Sequence, residues 1–271
     1  MKISVLISTY NNPVALEKTL WGYRYQTSGQ FEVVIADDGS RDETRELIQS
    51  IQRDFPRPIQ HVWHEDRGFQ KNEIMNKAII AATGDYIVVT DGDCIPRDDF
   101  VDAHRTSARP GMFLCGGSHI DLPVSIHKRL VEEDVASGRL FDHGWLCSQG
   151  LPEEKYWLRL TRNRWLAAAL NLATPRRTVL IGCNASFWKC DAMAVNGFDT
   201  SWSYGAEDQE MGVRMTNHGV KSRRLKYSLV CAHLSHARSE QQEEQRMRNK
   251  RRLSKLRWAG TTWVESGIKA A

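Results

Sequence analysis

The chain has 271 residues, 41% hydrophobic and 26% charged, with a net charge of +4. That supplies one full α/β core, either one large domain or a domain with a small appendage. No uninterrupted apolar stretch approaches the ~18 residues of a spanning helix, and six scattered cysteines without a Cys-x-x-Cys pair read as reduced, mostly buried thiols rather than a zinc site.

Ile3 to Ile7 reads as a buried strand entering the polar turn Ser8-Thr9-Tyr10-Asn11-Asn12-Pro13. A second strand, Phe31 to Ala36, ends in Asp37-Asp38-Gly39-Ser40, with Ser40 or Asp42 as cap for a helix from Glu43 to Ile51. The pattern recurs as a strand at His61 to His64, a loop at Arg67-Gly68-Phe69 and a helix from Asn72 to Ala82. Strand, loop, helix, strand in this order predicts a parallel sheet covered by helices.

The next apolar run, Tyr86 to Thr90, ends in Asp91-Gly92-Asp93. An Asp-x-Asp at the carboxyl end of a strand offers two hard oxygen ligands at the rim of an open α/β sheet, where a divalent cation bridges them to a diphosphate. The same tripeptide is also ordinary turn chemistry after a strand. Beyond it, Gly116-Gly117-Ser118 and the polar stretch from Lys128 to Arg177 predict an insertion and excursions over a cleft.

Two stretches are basic and aromatic. Tyr156 to Leu166 contains Trp157 and Trp165 among arginines and reads either as a core-facing amphipathic helix or as a membrane or acceptor contact. Arg246 to Arg257 holds seven cations and no acid, followed by Trp258 and Trp263. It is either a solvated terminal helix packed on the domain or an attachment to an anionic membrane surface. Neither carries a recognition module, so no nucleic-acid partner is expected.

Ser8-Thr9-Tyr10-Asn11, Asp37-Asp38-Gly39-Ser40, Asn76-Lys77-Ala78-Ile79 and Asp91-Gly92-Asp93 occur in the order and spacing of the family 2 glycosyltransferases, which the chain resembles. Gly182-Cys183-Asn184-Ala185-Ser186-Phe187, Gly197-Phe198-Asp199 and Gly205-Ala206-Glu207-Asp208-Gln209-Glu210 are similar to the acceptor-side segment of β-1,4-galactosyltransferase-type enzymes. The resemblance, over about residues 2 to 236, implies a GT-A fold, Rossmann-like and mostly parallel, in one catalytic domain over residues 1–236. Residues 1–105 would form the nucleotide-sugar half and 106–236 the acceptor half, with the insertion at about 125–177 and a basic helical tail over 237–271.

The implied activity is inverting, metal-dependent transfer of a hexose or N-acetylhexosamine from a UDP-sugar to a glycan or glycolipid, in cell-surface polysaccharide or lipopolysaccharide synthesis. The alternative is a nucleotide-diphosphate-binding module or a nucleotidyltransferase. A nucleotidyltransferase normally has a Gly-rich basic loop after its first strand, where this chain has Ser8 to Pro13. By the resemblance, Ser8 and Tyr10 contact the nucleotide, Asp37 or Asp38 reaches uracil or ribose, and Asp91, Gly92 and Asp93 hold the diphosphate through Mn²⁺ or Mg²⁺. Asp93 is the sharpest metal ligand, Asp91 either joins it or touches the ribose or metal-bound water, and His233 or His236 completes the set. Gln70 stands where many members have Arg, which leaves Lys71 or Arg67 to supply the charge. Asp208 is the expected base, Glu207 the partner of sugar hydroxyls, and Trp202, Tyr204 and Asn184 the acceptor contacts, Trp202 foremost. The N-terminus does not read as a signal peptide, so the expected location is cytoplasmic, with peripheral attachment to the inner membrane face.

Overall fold

The computed structural model describes residues 1–117, 119–154, 156–174, 178–236 and 240–270. Ser118, residues 175–177 at the end of the expected insertion and 237–239 at the start of the expected tail lie outside the described residues. The strands are β1 (Ile3–Thr9), β2 (Phe31–Asp37), β3 (Ile59–Trp63), β4 (Tyr86–Asp91), β5 (Cys94–Pro96), β6 (Met112–Cys115), β7 (Ile120–Leu122), β8 (Ala185–Trp188), β9 (Lys221–Arg224) and β10 (Cys231–Leu234). The helices are α1 (Pro13–Arg24), α2 (Asp42–Gln52), α3 (Lys71–Ala81), α4 (Phe100–Ser107), α5 (Val124–His127), α6 (Glu132–Ala136), α7 (His143–Ser148), α8 (Arg164–Ala173), α9 (Lys189–Ala194), α10 (Glu207–Asn217) and α11 (Glu240–Ala259).

Seven strands form the main sheet in the order β3-β2-β1-β4-β8-β6-β9. The first four are parallel, and β8 runs antiparallel between β4 and β6. The central strands are buried on both faces, which is why they read as continuous apolar runs. Their two-residue period divides them between two core layers. Leu6, Val34, Ile87 and Val89 pack against Ile74, Ala78 and Ile79 of α3. Val5, Ile7, Val33, Ile35 and Val88 pack against Leu16 and Leu20 of α1, Ile48 of α2 and Phe100 of α4.

Register then determines what meets at the strand ends. Ser8 pairs with Asp91, and Thr9 with Asp37, so the three parallel strands finish level and present their polar residues at one rim. Gly92 is required there, because a Cβ on it would lie 2.9 Å from the Ser8 carbonyl oxygen. A second sheet, β5-β10-β7, folds beside this rim. Its β10 pairs His233 with Cys94 on one side and with Asp121 on the other.

The insertion folds into the short helices α5 to α7 and the longer α8, and much of it packs as a third core layer with Leu140, Leu146 and Leu160 against the small sheet. Among α8 residues only Ala167 is buried, while Trp165 is 76% and Leu172 74% exposed. At the other end of the chain, α11 packs on α10 through Leu253, beside Trp202, Ala206 and Val213, and Ile268 enters the α3 layer.

Candidate active site

A cleft of about 700 Å³ opens along the rim, lined from β1 by Ser8, Thr9 and Tyr10, from β4 by Asp91, Gly92 and Asp93, and from the α10 start by Glu207 and Asp208. Asp38, Phe69, Lys71, Tyr204, His119, His233, His236 and Arg246 complete its walls. The two halves read from the sequence therefore meet in one place. A second cleft of about 730 Å³ lies at the insertion. Its two carboxylates are engaged locally, Asp98 with Arg162 at 2.9 Å and Asp142 in capping the Trp145 N–H.

On the donor side, Asp91 Oδ1 accepts hydrogen bonds from Ser8 Oγ at 2.8 Å and from Lys71 Nζ at 2.6 Å. Burial opposes a charge on Lys71, but the carboxylates of Asp91, Glu207 and Asp208 outweigh it and hold the ammonium well above its usual range. Lys71 thus places a cation in the cleft beside Gln70, whereas Arg67 is paired with Glu73 at 2.9 Å. Asp38 faces the cleft, with His64 Nε2 2.8 Å from Oδ1 and the Gln70 N–H 3.0 Å from Oδ2, and burial raises its carboxyl. Tyr10 donates to Asp66 at 2.9 Å, which fixes its ring at the mouth.

Asp93 sits between two imidazoles, with Nε2 of both His233 and His236 3.4 Å from its Oδ2. Burial would raise this carboxyl, yet the two histidines pull it well below the ordinary carboxylate range. A carboxylate oxygen and two ring nitrogens converging within a few ångströms suit a divalent ion such as Mn²⁺, so the residues fit the cation that the Asp-x-Asp implies. Both histidines belong to the set, where the sequence left a choice of one.

On the opposite side, Gly205 and Ala206 both take left-handed backbone, at φ +93° and +68°, before α10 starts. For Ala206 that conformation costs on the order of 1 kcal/mol, and α11 braces it. Asn249, buried on α11, donates to the carbonyls of Ser203, Tyr204 and Gly205 at 3.1, 3.2 and 2.8 Å. Glu207 accepts from the Gly205 N–H at 2.8 Å. The Asp208 carboxylate is oriented by the N–H groups of Gly182 at 2.6 Å and Gln209 at 2.7 Å. Burial and the adjacent Glu207 charge push its carboxyl up to about 7, a value suited to a general base near neutrality. Behind them, the fully buried Glu210–Arg214 pair at 2.6 Å, with Arg214 also donating to the carbonyls of Val195 and Gly197, anchors α10.

Four expectations change. Asp37 does not reach the cleft: fully buried, it accepts from the Ser40 N–H at 2.8 Å and meets His61 at 2.9 Å, so it shapes the turn. Asn184 lies beneath the site, fully buried and donating to the Leu229 carbonyl at 2.9 Å. Trp202 is 3% exposed under the Arg252 guanidinium, 4.4 Å from its ring centroid, and packs the loop instead of stacking on a sugar. Tyr204, the other aromatic candidate of this loop, does line the cleft, edge-on to Phe69 at 5.9 Å. Arg246, read only as part of a cationic run, lines the cleft while paired with Glu243 at 2.7 Å.

A mostly parallel GT-A sheet with an acidic strand-end cleft defines the class. Residues 4–106 match the model of glycosyl transferase family 2, and residues 167–238 match the model described as the N-terminal domain of galactosyltransferase. Validoxylamine A glucosyltransferase from Streptomyces hygroscopicus subsp. jinggangensis is 30% identical over 234 residues, which cover 80% of this chain and 52% of the relative. The chain thus spans about half the length of that relative. Among solved structures, a mannosyltransferase from Pyrobaculum calidifontis in complex with GDP-Man and Mn²⁺ superposes with a TM-score of 0.61 at 20% identity, over 93% of this chain and 64% of that one. A fragment of S. aureus TarS in complex with UDP gives 0.59 at 14% identity, over 96% of this chain and 65% of that one. These structural likenesses establish the shared fold.

Proposed function

We propose that the protein is an inverting, metal-dependent glycosyltransferase that moves a hexose or N-acetylhexosamine from a UDP-sugar to a glycan or glycolipid acceptor. The observation that carries this reading is the meeting, in one cleft, of Asp93 with its two imidazoles and Asp208 with its raised carboxyl pKa. The family 2 match and the glucosyltransferase relative support transfer of a sugar. The named ligands of the fold neighbours, GDP-Man with Mn²⁺ in one and UDP in the other, support a nucleotide-sugar donor and leave its base open to test.

In this mechanism Asp93, His233 and His236 would hold the divalent cation, whose chemistry there would be to neutralise the charge developing on the leaving nucleotide diphosphate. Lys71 keeps Asp91 anchored and places a second positive charge beside the diphosphate. Ser8, Tyr10 and Asp38 receive the nucleoside end. On the other face, Asp208 takes the proton from the acceptor hydroxyl, its oxygens already aimed by two backbone N–H groups. Glu207 and Tyr204 position the acceptor. The exposed cations of α11, Arg248, Lys250, Arg251 and Lys255, fit a loose attachment to an anionic membrane surface, where a lipid-linked acceptor would be found.

A panel of UDP- and GDP-sugars, assayed for nucleotide release with Mn²⁺ and with or without glycan and lipid-linked acceptors, tests the proposal. Acceptor-dependent release from one donor is the expected result. Tight nucleotide binding without transfer to any acceptor would favour a binding module.

A further inference from the structure

We infer that Asp121 is a positioning residue for the cation site, holding His233 by its far nitrogen so that the near one faces Asp93. The inference rests on the reading of Asp93, His233 and His236 as cation ligands, and it concerns a carboxylate outside that set.

The β10 register seats His233 between Asp121 on β7 and Cys94, the neighbour of Asp93, on β5. The imidazole spans the gap. Its Nδ1 lies 3.3 Å from Asp121 Oδ1, and its Nε2 lies 3.4 Å from Asp93 Oδ2. A histidine that ligates through one nitrogen must carry its proton on the other, and an acceptor fixed at Nδ1 enforces that arrangement. With Nδ1–H donated to Asp121, the Nε2 lone pair points to the position between Asp93 and His236 where the cation would sit. Without Asp121 the ring would be free to flip or to protonate the wrong nitrogen.

Asp121 is itself held. The same Oδ1 lies 3.0 Å from His119 Nε2, and the His119 and His233 rings stand 4.3 Å apart with a 40° tilt. The far nitrogen of His119 is 3.6 Å from the Cys183 thiol in the cleft wall. One carboxylate oxygen therefore braces two imidazoles, one a ligand and the other a prop. The alternative role for these groups is direct: His119, Asp121 and His233 are close enough to hold a cation of their own. Stoichiometry separates the two roles.

The test is titration of the metal-free full chain with Mn²⁺ alone, followed by calorimetry and by the electron paramagnetic resonance of free Mn²⁺. The wild type is expected to bind one equivalent, and Asp93→Ala none. Asp121→Ala is expected to bind one equivalent about 10–100-fold more weakly, the usual effect of removing a partner behind a ligating histidine. Asp121→Asn keeps a neutral oxygen for Nδ1–H and should recover most of that loss. The Asp121 side chain is 54% exposed, so the melting temperature in EDTA should stay that of the wild type. Wild-type affinity in Asp121→Ala, or a second equivalent that Asp121→Ala abolishes, overturns the positioning role. A wild type that binds no Mn²⁺ overturns the cation site beneath it.

Discussion

Lys71 Nζ stands 2.6 Å from Asp91 Oδ1, joining the first residue of α3 to the end of β4 across the floor of the cleft. The ammonium is the charge next to the Asp-x-Asp, and a neutral side chain cannot replace it. Lys71→Gln should weaken binding of the donor nucleotide about 10–100-fold, the range for losing a hydrogen bond to a charged group. Calorimetry with UDP and GDP reads this directly, and unchanged affinity for both would restrict Lys71 to a structural role.

The cation site makes its own demand. Asp93→Ala should abolish Mn²⁺-dependent turnover and leave the circular dichroism spectrum intact, because the side chain faces the cleft rather than the core. Undiminished wild-type turnover in excess EDTA would remove the metal from the mechanism.

Asp208 ties rate to pH. With its carboxyl at about 7, the base form grows as pH rises, so the single-turnover rate should climb tenfold per unit below neutrality and level off above it. Asp208→Asn should lose that limb and at least ~100-fold in transfer while binding donor almost normally. Stability runs the other way. Between the usual Asp value of 3.8 and about 7 the folded chain retains a proton that the unfolded chain releases, so folding stability falls across that window. Asp208→Asn should therefore melt higher than the wild type at pH 8, and an equal or lower melting temperature would contradict the raised value.

The α11 latch gives a fourth expectation. Asn249→Ala removes the donor shared by three carbonyls of the 203–205 loop and leaves them unsatisfied, at a cost of roughly 1–3 kcal/mol. The acceptor KM should rise more than the donor KM, because the loop carries Tyr204 and leads into Glu207. A matched rise in both constants would deny the loop a selective role.

Membrane attachment needs a refined set of substitutions. Arg252 covers Trp202 and bonds Ser201, and Arg246 lies in the cleft, so neither is free for lipid. Replacing Arg248, Lys250, Arg251 and Lys255 with Gln should diminish sedimentation with anionic vesicles at low salt and leave turnover on a soluble acceptor unchanged. No described helix is long and apolar enough to cross a membrane. A wild-type chain that ignores such vesicles would make a soluble acceptor the better reading.

The strand-end motifs were legible because their signals are local. Apolar runs ending in Asp38-Gly39 or Asp91-Gly92-Asp93 state both the strand and the rim it reaches, and parallel register does the rest. At the α10 start Glu207 and Asp208 were legible, but Trp202 ranked above Tyr204, because the two lie two positions apart in an irregular loop where no period tells inside from outside. Asp37 and Asp38 pose the same difficulty: adjacent carboxylates on a strand end point to opposite sides, and only packing shows that His61 and the Ser40 amide claim the first. Arg246 was hidden by its company. In a run of seven cations, only the position of α11 against Gly205 picks out the one that enters the cleft.

The Asn249 latch also joins two parts of the chain. In the proposed mechanism the donor is received at strand termini that share a core, and the acceptor beside a loop moulded by the side of one terminal helix. A graft of α11 together with residues 201–206 from a relative would therefore have to preserve two junctions, the edge contact of Tyr204 with Phe69 and the packing of Trp202 and Ala206 on α10.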